Sequence, residues 1–239
     1  MARPTRLLLS VRRELAARGD PERARGAQAY MKSEMPFHGV GAVPLRATCR
    51  ELFATLEVPD AAAFRSEVLG LFRGARYREE MYAAVELARL KRAAPLRDLA
   101  FLPVCEEMVA GGAWWDVVDA VASHLLGELL RREPLAMRRE MLSWARCDDL
   151  WKRRAAILCQ LGFKGDTDLD LLYACIEPAL GSKEFFLRKA IGWALRQYAW
   201  TDPAEVLRWV SANEERLPAL SRREALKNVG RDRGGARGA

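Results

Sequence analysis

Gly111-Gly112-Ala113-Trp114-Trp115-Asp116-Val117-Val118-Asp119 joins two helical patterns near the middle of the chain. The paired glycines stop one helical pattern, and the residues after them open another that continues to Arg132. Two adjacent tryptophans followed by two carboxylates are an unusual way to begin such a helix. Trp115 and Asp119 lie four residues apart, so they share a face, the ring about one turn before the carboxylate. Asp116 falls in the first turn, where a negative charge complements the helix N-terminus. Asp119, one turn on, has no opposing lysine at helical spacing and no comparable structural excuse.

The same punctuation recurs on both sides. Upstream, Leu8, Val11 and Leu15 mark one face of a helix that stops at Gly19, and Asp20-Pro21 caps and opens the next through Tyr30. Further helices follow Pro44, Asp60, Tyr77 and Pro95. The Phe37–Val43 stretch between them reads as a glycine-containing loop. Downstream, helices open at Pro134, after Asp148 or Asp149, at Leu169, after Gly181-Ser182 and at Asp202-Pro203. Ser221-Arg222-Arg223-Glu224 reads as a capping box for a last short helix. Strand patterns are hard to find. About twelve helices in pairs of roughly 35–40 residues predict an all-α, HEAT-like helical-repeat solenoid. An irregular helical bundle is the alternative. One domain over residues 1–230 is expected, with a disordered glycine- and arginine-rich tail over 231–239.

Composition narrows the function. Half of the 239 residues are hydrophobic, enough for a continuous core. No apolar run reaches the ~18 residues of a membrane span, and the N-terminus turns basic too soon for a signal peptide, so a cytoplasmic location is expected. Cys49, Cys105, Cys147, Cys159 and Cys175 include no C-x-x-C pair and read as reduced, mostly buried thiols. His38 and His124 lack zinc-ligand spacing to them, so no metal is expected. The net charge is +7, and residues 1–50 carry ten basic side chains against four acidic ones. Such an excess suits a polyanionic partner, or equally well two solvated basic ends.

Further motifs join the first. Trp151-Lys-Arg-Arg-Ala-Ala-Ile157, Ser182-Lys-Glu-Phe-Phe-Leu-Arg-Lys-Ala-Ile-Gly-Trp193 continuing to Tyr198, and Leu220-Ser-Arg-Arg-Glu-Ala225 follow in order, with Tyr30-Met31-Lys32 as weaker support. Together they resemble the AlkD-type DNA glycosylases of the DNA alkylation repair family over nearly the whole chain. The resemblance implies a HEAT-like fold holding duplex DNA in its concave face and excising cationic N3- and N7-alkylated purines. It assigns catalysis to Asp119, an aromatic cleft to Trp115 and Trp193, and a DNA contact beside the lesion to Arg154. Tyr30 is a further candidate at the lesion. Arg153, Lys189, Arg196 and His38 are candidates for the DNA backbone. The resemblance departs at Gly39–Pro44, small and apolar where a polar contact is expected; there backbone N–H groups or His38 would have to meet phosphate.

The chemistry fits these residue types. An alkylated purine already carries positive charge, so it leaves neutral and needs little help from a general acid. A carboxylate then suffices to stabilise oxocarbenium-like charge on the sugar and to place a water. Tryptophan faces attract cations by roughly 0.5–2 kcal/mol each. No cofactor is needed and no lysine stands out as a Schiff-base nucleophile, so a monofunctional enzyme, acting as a monomer, is expected. The competing reading is a non-catalytic HEAT-repeat protein that binds a protein partner or distorted DNA. Trp114, Trp151 and Trp209 read as packing tryptophans in either case.

Overall fold

The computed structural model describes residues 5–230, so the tail over 231–239 lies outside the described residues. Every described element is a helix, and no strand occurs among the described residues. Aspartates start many of them: Asp20, Asp60, Asp149, Asp168 and Asp202 each accept first-turn backbone N–H groups, and Pro21, Pro134 and Pro203 supply a preset φ just inside. The packing divides into two compact units, the first ending at Met108 and the second beginning at Val109.

The first unit contains α1 (Arg6–Ala17), α2 (Pro21–Met31), α3 (Ala42–Ala54), α4 (Ala61–Arg73) and α5 (Arg78–Ala88), and α6 (Leu102–Gly112) begins in it. Leu8, Val11 and Leu15, the predicted apolar face of α1, are all buried. Pro95 sits within a 3-10 turn over Lys91–Leu96, not in an α-helix.

Two buried carboxylates on α5 organise this unit. Glu79 accepts the backbone N–H groups of His38 at 2.9 Å, Gly39 at 2.8 Å and Val40 at 3.1 Å. Of the stretch whose N–H groups could meet phosphate, Gly39 and Val40 thus donate theirs to a protein carboxylate. Gly39 is required here: its φ is +85°, and a Cβ would come within 2.0 Å of the Asp20 carbonyl oxygen. Glu80 takes a fork from Arg12, with Nε and Nη2 both at 2.8 Å, and the Arg76 N–H at 2.7 Å. His38 is buried, with Nε2 3.2 Å from Glu80 and its ring stacked on Tyr77 at 3.8 Å. Its imidazole, a candidate for the DNA backbone, is thus held inside the protein by Glu80 and Tyr77.

Burial opposes ionisation of Glu80, but Arg12, His38 and the Arg76 N–H outweigh it and hold the carboxyl at about 2, below the usual 4.5. A depressed folded pKa means stability present above about 4.5 and lost as pH falls towards about 2. Parent protein should exceed Glu80→Gln in urea stability by on the order of 3 kcal/mol near neutrality. That margin should shrink through the same acid window; a margin independent of pH would refute the assignment.

The second unit contains α7 (Trp115–Ala120), α8 (Gly127–Arg132), α9 (Pro134–Arg146), α10 (Leu150–Leu158), α11 (Leu169–Ile176), α12 (Phe185–Tyr198), α13 (Pro203–Ala212) and α14 (Ala219–Ala225). Helices α7, α10, α12 and α14 pack successively side by side. Helices α9 and α11 form a second row, packing against each other and both against α10. This alternation is what stacked helical repeats produce. The predicted single helix from Trp114 to Arg132 is interrupted after α7 by a wider π turn over Val121–Leu126. Such turns insert a residue into the ladder and re-aim the side chains around them.

The capping-box reading of Ser221 and Glu224 is also corrected. Helix α14 starts earlier, at Ala219, with no side-chain cap. Ser221 Oγ donates instead to the Arg188 carbonyl on α12 at 2.8 Å, and Glu224 is buried. Gly192 on α12 makes the approach possible, since a Cβ there would come within 2.4 Å of Glu224 Cβ.

Candidate active site

Asp119 lies near the end of α7, two residues before the π turn begins at Val121. The Asp119 carbonyl accepts from Ser123 Oγ at 2.7 Å, a side-chain bond across that wider turn. Asp116 behaves as its position predicts, its Oδ1 accepting the Val117 N–H at 2.9 Å.

The Asp119 carboxylate meets Arg154 from α10 in a two-pronged pair. Nε donates to Oδ1 at 2.7 Å and Nη2 to Oδ2 at 2.8 Å. The third guanidinium nitrogen, Nη1, donates to the Phe186 carbonyl in α12 at 2.6 Å. One arginine thus ties α7, α10 and α12 together. Its side chain is only 5% exposed, whereas that of Asp119 is 13% exposed. Asp119 is therefore the less sealed member of the pair. All three guanidinium nitrogens of Arg154, expected beside the lesion, are thus bonded within the protein.

An aromatic wall explains the burial. Trp114 and Trp151 lie 5.7 Å apart, and Phe186 packs on both at 5.0 and 4.9 Å. The Arg154 guanidinium carbon lies 5.9 Å from the Phe186 ring centroid. Trp209 likewise stacks on Tyr173 at 5.0 Å. These tryptophans pack, as their sequence context suggests. Burial pushes the Asp119 carboxyl above the usual carboxylate range; Arg154 pulls it down and Asp116 adds to the rise.

Trp115 and Trp193 stand apart from that wall, each partly exposed on helices that pack against α10. Arg153 donates Nη2 to the Pro178 carbonyl at 2.9 Å, so one arm of its guanidinium is held by the fold. Lys189 and Arg196 are partly exposed on α12 and both reach Glu224, at 3.2 and 2.6 Å. Tyr30, exposed near the end of α2, belongs to the first unit with His38, and the other candidates to the second. Reasoning from sequence missed the Phe186 carbonyl and Glu224. Both lie inside motifs already noticed, but neither a backbone acceptor nor a long-range carboxylate partner has a spacing signature.

Among the described residues no grouping of three or more histidine, cysteine or carboxylate side chains is placed to hold a metal, and no helix is long and apolar enough to cross a membrane.

A family model described as DNA alkylation repair enzyme matches residues 11–229. A solved structure titled "Predicted DNA alkylation repair enzyme from Enterococcus faecalis" is similar, with 28% sequence identity and a TM-score of 0.72, over 90% of this chain and 98% of that one. No curated protein matches.

Proposed function

The chain belongs to the DNA alkylation repair enzyme family, and on that premise we propose that it is a glycosylase hydrolysing the N-glycosidic bond of cationic N3- or N7-alkylated purines in duplex DNA. The observation that carries this reading is the Asp119 carboxylate: fixed by Arg154, less sealed than its partner, and one helical turn from the partly exposed Trp115.

A carboxylate has about four lone-pair positions, and Arg154 occupies two of them. The remainder are available to a water and to positive charge on a deoxyribose. As the C1′–N bond breaks, its electron pair moves onto the purine, which departs neutral. Water adds to C1′, and its proton passes by way of the carboxylate to solvent, leaving an abasic site. Asp119 needs no proton of its own to give; its ionised form is the one that acts. Arg154 acts as a positioning residue, because a carboxylate held in place needs no reorganisation as charge develops. Trp115 and Trp193 supply quadrupolar faces for a cationic base or sugar. Lys189 and Arg196 contact the DNA backbone.

Methylated duplex DNA incubated with the protein should release free 7-methylguanine and 3-methyladenine, detected by chromatography, and should acquire alkali-labile abasic sites. Binding to the same duplex without base release would favour the non-catalytic alternative.

A further inference from the structure

Glu224 is almost fully buried, yet it takes three cations: Lys227 Nζ at 2.6 Å, Arg196 Nη1 at 2.6 Å and Lys189 Nζ at 3.2 Å. One or two partners satisfy a buried carboxylate. Three leave a local excess of two positive charges. The cations are not sealed with it, since the side chains of Lys189, Arg196 and Lys227 are 37%, 28% and 46% exposed. Lys227, ahead of the opposing effect of burial, and Lys189 hold the Glu224 carboxyl below its usual range, so it stays charged.

The placement adds a second argument. Lys189, Trp193 and Arg196 follow one another at helical spacings of four and three, so they share one face of α12. Trp193 is therefore bracketed, one turn on either side, by cations tied to the same anchor on α14. That anchor is rigid: Gly192 lets the helices meet closely, and the Ser221 hydroxyl pins α14 to the Arg188 carbonyl.

We propose that Lys189, Arg196 and Lys227 form a phosphodiester clamp beside Trp193, with Glu224 as the positioning residue that holds the three cations in register. The clamp rests on the reading that the protein acts on duplex DNA, and it adds to that reading a cation, Lys227, and an acidic organiser. Lysine and arginine side chains are costly to order, and a buried carboxylate that orders three of them beforehand lowers that cost at the moment of binding.

The test is the salt dependence of full-length protein binding to an undamaged duplex oligonucleotide, read by fluorescence anisotropy. Lys227→Ala should reduce the log–log slope by about 0.9, the value for one phosphate contact. Glu224→Gln raises the net positive charge, so simple attraction predicts tighter binding. A positioning role predicts the opposite: weaker binding by roughly tenfold at low salt, with a slope smaller by about one to two. Tighter binding by Glu224→Gln with an equal or steeper slope would overturn the clamp. Where Glu224→Gln fails to fold, Lys227→Ala decides, and an unchanged slope overturns the clamp alone. A parent protein that binds no duplex overturns the clamp and the glycosylase reading together.

Discussion

Asp119→Asn should slow single-turnover excision of 7-methylguanine by about ten- to a thousandfold, equivalent to about 1.4–4 kcal/mol. The substitution keeps size and one acceptor but deletes the charge that stabilises the developing sugar cation. The upper limit is modest because the lesion, already cationic, leaves readily. Affinity for damaged duplex should hardly change, or rise slightly as a negative charge near phosphate disappears. The structure adds a condition. Arg154 is sealed against the Phe186 ring and carbonyl, so the amide variant leaves a buried guanidinium without its anion. Removing one partner of a buried pair costs roughly 3–5 kcal/mol of stability, here lessened by the remaining amide acceptor. Rates must therefore be compared where circular dichroism shows both proteins folded. Under those conditions, excision by Asp119→Asn at the parent rate ends the mechanism.

What was legible in the sequence was local. Asp20-Pro21, Asp60 and Asp202-Pro203 mark helix starts because capping is settled within four residues of chain, and each caps as read. The all-helical class follows from many such marks in a row. Where a residue's partner lies far away, the same local reading failed. Ser221 and Glu224 have the spacing of a capping box, but their bonds go to α12. His38 read as a loop residue and a candidate for the DNA backbone, and its ring is held by Glu80 and Tyr77 at the start of α5. The division after Met108 falls inside α6, where no proline- or glycine-rich linker marks it. At the site, helical spacing correctly put Trp115 and Asp119 on one face. It carried no information that Arg154, 35 residues later, would turn inward to the carboxylate. That choice depends on long-range packing: Phe186, from α12, meets the guanidinium with both its ring and its carbonyl.

Arg154→Gln separates the two roles that this arginine has been given. If Arg154 positions and charges Asp119, its loss should act through the carboxyl's ionisation. In the parent, burial raises the Asp119 pKa, Arg154 opposes that rise and Asp116 reinforces it. Deleting the guanidinium leaves burial and Asp116 unopposed, so the pKa must climb further. Excision uses the ionised form, and its rate therefore rises with pH as Asp119 loses its proton. The midpoint of that rise should move to higher pH in Arg154→Gln. Activity should fall about tenfold or more through lost positioning of the carboxylate, and should recover in part on going alkaline. The salt slope for undamaged duplex should stay where it was, because no phosphate contact is removed. A phosphate-binding Arg154 makes the reverse prediction: a slope lower by about one, and a pH–rate profile with its midpoint unmoved. Measuring both on the same folded variant leaves room for only one of the two roles, and an unmoved midpoint would return Arg154 to the DNA backbone.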